Sequence, residues 1–142
     1  MKKSHRSIHY LVVHCSATPE GRDHTAKDID DWHKQRGFNE IGYNYVVRLD
    51  GTVEEGRDVN KIPAHVTNHN KDSIGICYIG GIDRNTLQPK DTRTDAQKEA
   101  LKRLLLELRA LYPDAKILGH RDFAGVAKAC PCFDAKEEYK NI

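Results

Sequence analysis

The sequence has no block of like charge, no long apolar run and few aromatic residues, and each absence removes a class of function. Its 23 Lys and Arg against 21 Asp and Glu leave a formal charge of +2, spread along the chain. Binding to a phosphate backbone calls for a concentrated basic stripe, so no nucleic-acid partner is expected. No apolar stretch approaches the length of a membrane span. The basic start Met1-Lys2-Lys3 leads only to the apolar run Tyr10 to Val13, too short for the core of a secretion signal. The expectation is a protein without a membrane span that is cytoplasmic when made. An HExxH helix is also missing, and with it the general base of that metalloprotease class.

What is present fits one domain of 142 residues, long enough to bury a core. The run Ile8-His9-Tyr10-Leu11-Val12-Val13-His14 is apolar on both faces and predicts an inner strand ending at His14. Thr25 followed by Asp28 predicts a helix start, with Ile29 and Trp32 at helical spacing and a stop at Gly37. Residues 43–49 and 52–55 flank Asp50-Gly51 and predict a hairpin. Ser73 to Ile79 reads as a second inner strand. Thr94 with Gln97 forms a capping box ahead of the stripe Leu101, Leu104, Leu105, Leu108 and Leu111, which predicts a long amphipathic helix. A short strand, Lys116-Ile117-Leu118, then delivers Gly119-His120. Alternating strands and helices without repeats predict an α/β fold, a single domain with a central mixed β-sheet flanked by helices.

Among eight histidines, His5, His9, His24, His33 and His69 read as solvated or locally hydrogen-bonded. His14 and His120 differ, because both stand at the carboxyl ends of buried strands, where sites on α/β sheets assemble. Four cysteines raise the question of disulfides, but without a secretion signal reduced thiols are the default. Cys15, next to His14, points to the opposite sheet face if the strand continues. Cys77 lies mid-strand among apolar residues and reads as inert. Cys130 and Cys132 can both fold back beside His120, and spacing does not choose between them. Two imidazoles and one thiolate suit zinc, and three protein ligands leave an open, catalytic position. Four ligands, with Cys132 as the fourth, would make a closed structural zinc.

The ordered blocks Val13-His14-Cys15-Ser16-Ala17-Thr18, Gly42-Tyr43-Asn44-Tyr45, Asp50-Gly51-Thr52-Val53 with Gly56-Arg57, Asn70 to Ile76, Gly119-His120-Arg121-Asp122 and Lys128-Ala129-Cys130-Pro131 resemble the zinc N-acetylmuramoyl-L-alanine amidases. Within these the chain is similar to the amidase-type phage lysozymes, relatives of the peptidoglycan recognition proteins. The resemblance implies zinc on His14, His120 and Cys130, Tyr43 and Lys128 as catalytic partners, and His65 lining the substrate groove. It further implies hydrolysis of the bond between N-acetylmuramic acid and L-alanine in peptidoglycan or a muropeptide. An endolysin of this kind would act as a monomer, reaching the wall after release from the cytoplasm.

Three other readings stay in view. A non-catalytic peptidoglycan-binding module would have lost a metal ligand, and all three candidates are present. A zinc-stabilised interaction domain would use Cys132. A cytoplasmic muropeptide-recycling amidase would carry an aspartate as third ligand, where this chain has Cys130.

Overall fold

Two reciprocal capping boxes set where the long helices begin in the computed structural model, which describes residues 1–142. Thr25 and Asp28 exchange side-chain to backbone bonds of 3.2 and 2.9 Å at the start of α1 (Ala26–Gln35). Thr94 and Gln97 do the same at 2.9 and 3.0 Å for α2 (Asp95–Leu111). Each box satisfies amide groups that a helix start leaves without partners. Gln97 also has a task that its place in the box does not reveal: its buried side-chain amide Nε2 donates to Val47 O and Ile79 O, tying the helix to the sheet.

The strands are β1 (Tyr10–Cys15), β2 (Thr18–Pro19), β3 (Tyr45–Val47), β4 (Val53–Glu55), β5 (Ser73–Tyr78), β6 (Gly81–Ile82) and β7 (Lys116–Gly119). Five of them form a mixed sheet in the order β4, β3, β5, β1, β7, in which only β4 runs antiparallel to its neighbour. The other pair, β2 with β6, forms a small parallel ribbon. A 3-10 turn (His120–Asp122) follows β7, and a one-turn helix α3 (Ala135–Glu138), which the sequence pattern does not announce, comes near the carboxyl end.

Alternation along the strands divides the core. Leu11, Val13 and Cys15 of β1 join Ile74, Ile76 and Tyr78 of β5 beneath the α2 residues Leu101, Leu104, Leu105 and Leu108. On the other face, Val46, Cys77 and Ile79 pack with Ala26 and Ile29 of α1. With both faces covered, β1 and β5 are expected to be apolar on both sides, and they are except at His14 and Ser73, both of which bond to His65.

The hairpin is wider than a two-residue turn. The last ladder pair is Val47 with Val53, and the loop closes through Arg48 N–H to Thr52 O and Gly51 N–H to Arg48 O, both 2.9 Å. Gly51 sits at φ +87°, and a Cβ there would lie 2.8 Å from Ala96 O, so the loop packs against the start of α2 only because that side chain is missing.

Candidate metal centre

Parallel register brings the two histidines together. Val13 of β1 is paired with Gly119 of β7, so the residues that follow, His14 and His120, emerge side by side with ring centroids 4.6 Å apart. His14 is buried on the α1 face, opposite Cys15, as alternation requires. The chain then folds back: Arg121 N–H donates to Cys130 O at 2.9 Å, and the buried Tyr78 hydroxyl donates to Pro131 O at 2.6 Å. Cys130 Sγ thereby lies 3.8 Å from His14 Nδ1 and accepts the Cys15 N–H at 3.2 Å.

One donor atom each from His14, His120 and Cys130 falls within 4.8 Å of the others. Donors around a tetrahedral zinc lie roughly 3.5 Å apart, given metal–ligand distances of about 2.0–2.3 Å. The set therefore fits such an ion in both spacing and chemistry. Cys132 is not part of it. At φ +70° its backbone turns rather than extends, and its Sγ reaches Gly81 O at 3.3 Å and Cys15 Sγ at 3.9 Å.

Behind His14 lies a relay that sequence spacing conceals. His14 Nε2 is 2.7 Å from His65 Nδ1, and His65 Nε2 is 2.9 Å from Ser73 Oγ. When His14 Nδ1 is the metal donor, Nε2 carries the proton and donates to His65, which in turn donates to the serine. A Cβ on Gly75 would stand 2.8 Å from His65 Cγ, so the ring can lie over β5 only because residue 75 has no side chain. The contacts of His65 are thus with a candidate ligand and with the strand beneath it.

The electrostatics keep these imidazoles neutral, the form that binds metal. Burial, joined by the charges of His65, His120 and Lys128, holds His14 well below the usual histidine range. Burial and Lys128 lower His120 as well. Burial first, then His120, pushes His65 down to about 3. Lys128 is itself exposed on the loop before Cys130, close enough for its charge to act on both histidines.

Tyr43 stands beside His14 with ring centroids 5.0 Å apart, and burial raises its hydroxyl well above the normal range. Its backbone is fixed because Arg57 N–H donates to Tyr43 O at 2.8 Å. The neighbouring Asn44 is buried, accepting from Gly75 N–H at 3.0 Å and donating to Arg57 O at 3.1 Å. Of the six residues singled out from the sequence, Tyr43, His65, His120 and Cys130 thus surround the His14 ring, and the charge of Lys128 reaches it.

A mixed sheet covered on both faces, with two imidazoles and a thiol converging beyond β1 and β7, defines a class: an α/β domain with three donors placed to hold a metal ion. The chain matches the N-acetylmuramoyl-L-alanine amidase family over residues 4–133. It is 44% identical over 126 residues to the endolysin of Klebsiella phage KP32, covering 89% of this chain and 82% of that protein. With the endolysin of Escherichia phage T7 it shares 39% over 134 residues, 94% of this chain and 87% of the other. The solved N-acetylmuramoyl-L-alanine amidase LysC from Clostridium intestinale superposes with a TM-score of 0.76 at 27% identity, over 97% of this chain and 86% of that one. The chain belongs to the N-acetylmuramoyl-L-alanine amidase family, and it is a peptidoglycan hydrolase that degrades cell wall.

Proposed function

We propose that the chain is a zinc amidase of the endolysin type, with His14, His120 and Cys130 as the metal ligands. The observation that carries this reading is the convergence of those donors within 4.8 Å at the sheet edge. Zinc, when bound, supplies Lewis acidity toward a carbonyl oxygen and makes water a stronger nucleophile.

The protein's own groups account for the rest. Lys128 places a cation beside the donor set, where it stabilises the charge that develops on the lactyl carbonyl oxygen as the amide is attacked. Tyr43, whose hydroxyl stays protonated at neutral pH, orients the attacking water and donates a proton to the departing L-alanine amine. His65 and Ser73 hold the His14 ring in the orientation that presents Nδ1. We assign His65 this supporting task in addition to the groove-lining place that the family resemblance implies. One chain carries the whole donor set, and we propose that it works as a monomer. No helix is long and apolar enough to cross a membrane. As with a phage endolysin, the enzyme would accumulate in the cytoplasm and meet the wall after release.

Metal analysis combined with digestion of purified sacculi tests the assignment. The wild type is expected to bind one zinc and to release new L-alanine amino termini, whereas His14→Ala and Cys130→Ser lose both properties. Retention of zinc and full activity by either variant refutes the ligand set.

A further inference from the structure

The fourfold presence of cysteine is only partly absorbed by the metal centre. Cys15 ends β1 on the face away from His14 and is buried, while Cys132 is half-buried two positions beyond Cys130. Their sulfurs lie 3.9 Å apart although the residues are 117 positions apart in the chain. The space between them exists because residue 81 is glycine: a Cβ there would lie 2.5 Å from Cys15 Sγ and 3.7 Å from Cys132 Sγ. Cys130 is occupied differently, facing the Cys15 amide and the His14 ring.

We propose that Cys15 and Cys132 form an oxidative modification site, closed to an intramolecular disulfide by exchange with a small-molecule disulfide such as oxidised glutathione. The sulfurs need to approach to about 2 Å, which requires side-chain rotation and a small loop shift. Exchange begins at Cys132, the thiol that solvent reaches. Its thiolate attacks one glutathione sulfur, a mixed disulfide forms and one glutathione leaves. The Cys15 sulfur then attacks the Cys132 sulfur, giving up its proton as it does so, and expels the second glutathione. The two protons lost by the protein thiols end on the departing glutathione thiolates. One dithiol and one oxidised glutathione thus give one protein disulfide and two reduced glutathiones.

The cross-link would join the loop that carries Cys130 to the strand that carries His14. It would be open in a reducing cytoplasm and closed in an oxidising compartment. The benefit to the donor set rests on the zinc reading, but the cross-link itself does not.

The test treats the full chain, loaded with zinc, with oxidised glutathione and counts thiols after denaturation. The expected result is a fall from four free thiols to two, with no glutathione retained. Digestion without reduction should then yield the Cys15 peptide joined to the peptide bearing Cys130 and Cys132, and fragmentation at Pro131 should place the link on Cys132. Cys130→Ser is expected to keep the link, and Cys15→Ser and Cys132→Ser to lose it. Four unchanged thiols, an adduct that stops at glutathionylated Cys132, or a link that fragmentation assigns to Cys130 would each overturn the proposal. The wild-type fragmentation decides even if a variant fails to fold, and the zinc content measured alongside reports separately on the metal assignment.

Discussion

A methyl group added at Gly75 would meet the His65 ring at 2.8 Å, and because β5 is an inner strand the ring is the part that moves. Gly75→Ala should therefore pull His65 from His14 Nε2 and leave a candidate ligand without its support. Loss of such a partner typically weakens metal binding by about 10–100-fold. Zinc affinity by chelator competition should fall by that amount in Gly75→Ala and in His65→Ala, with circular dichroism unchanged. An unaltered affinity in both would show that the relay does not support the ligand. Tyr43→Phe tests a different contribution, since it keeps the ring beside His14 and removes only the hydroxyl. It should retain zinc and lose roughly 100-fold in the rate of sacculus hydrolysis, a typical figure for a proton-transferring group.

Between elements, the strongest polar clamp is Arg93. Its nearly enclosed guanidinium bonds Asp91 at 2.9 Å and Glu138 of α3 at 2.7 and 2.9 Å, and it lies 3.4 Å over the Phe133 ring. The arginine thus fixes the segment that follows Cys132 onto the start of α2. Removing it with Arg93→Ala should cost roughly 2–3 kcal/mol in urea denaturation, below the range for a fully enclosed pair because both carboxylates reach solvent.

Bonding to Arg93 holds Glu138 below its ordinary value of 4.5. A depressed carboxylate contributes stability that is complete above its unfolded pKa and is lost as pH falls through the folded one. The urea midpoint should therefore decline more steeply below about pH 4.5 in the wild type than in Arg93→Ala. Equal slopes would remove the clamp as the cause. The helix starts were legible in the sequence because a capping box is written within four consecutive residues. The clamp was not, because Glu138 lies 45 positions from Arg93 and only the packing of α3 brings them together. The choice between Cys130 and Cys132 was hidden for a related reason, since it turns on a positive φ at Cys132 that spacing cannot express.

At the scale of the molecule, the covered mixed sheet was readable from β1 and β5, whose apolar character on both faces implies layers on both sides. Strand order was not readable. That β1 lies between β5 and β7 is set by long-range pairing, and so is the approach of His65 to His14 across 51 positions. The sheet depends on α2 for its cover, and Leu105 on the inner face of that helix is fully buried. Leu105→Ala should cost about 2–5 kcal/mol by loss of contacts and the cavity left behind. Thermal unfolding should show this as a lower Tm, with zinc stoichiometry preserved at temperatures where the variant is folded.

The candidate donors His14 and Cys130 stand 116 positions apart, and the register between β1 and β7 is what unites them with His120. During synthesis, then, most of the polypeptide exists before the centre can. An emerging chain can build β1, the hairpin and β5, yet it holds no complete donor set until residue 130 has left the ribosome and folded back across the sheet. If His14, His120 and Cys130 are the ligands, as proposed, premature termination before residue 130 yields fragments that lack a complete donor set.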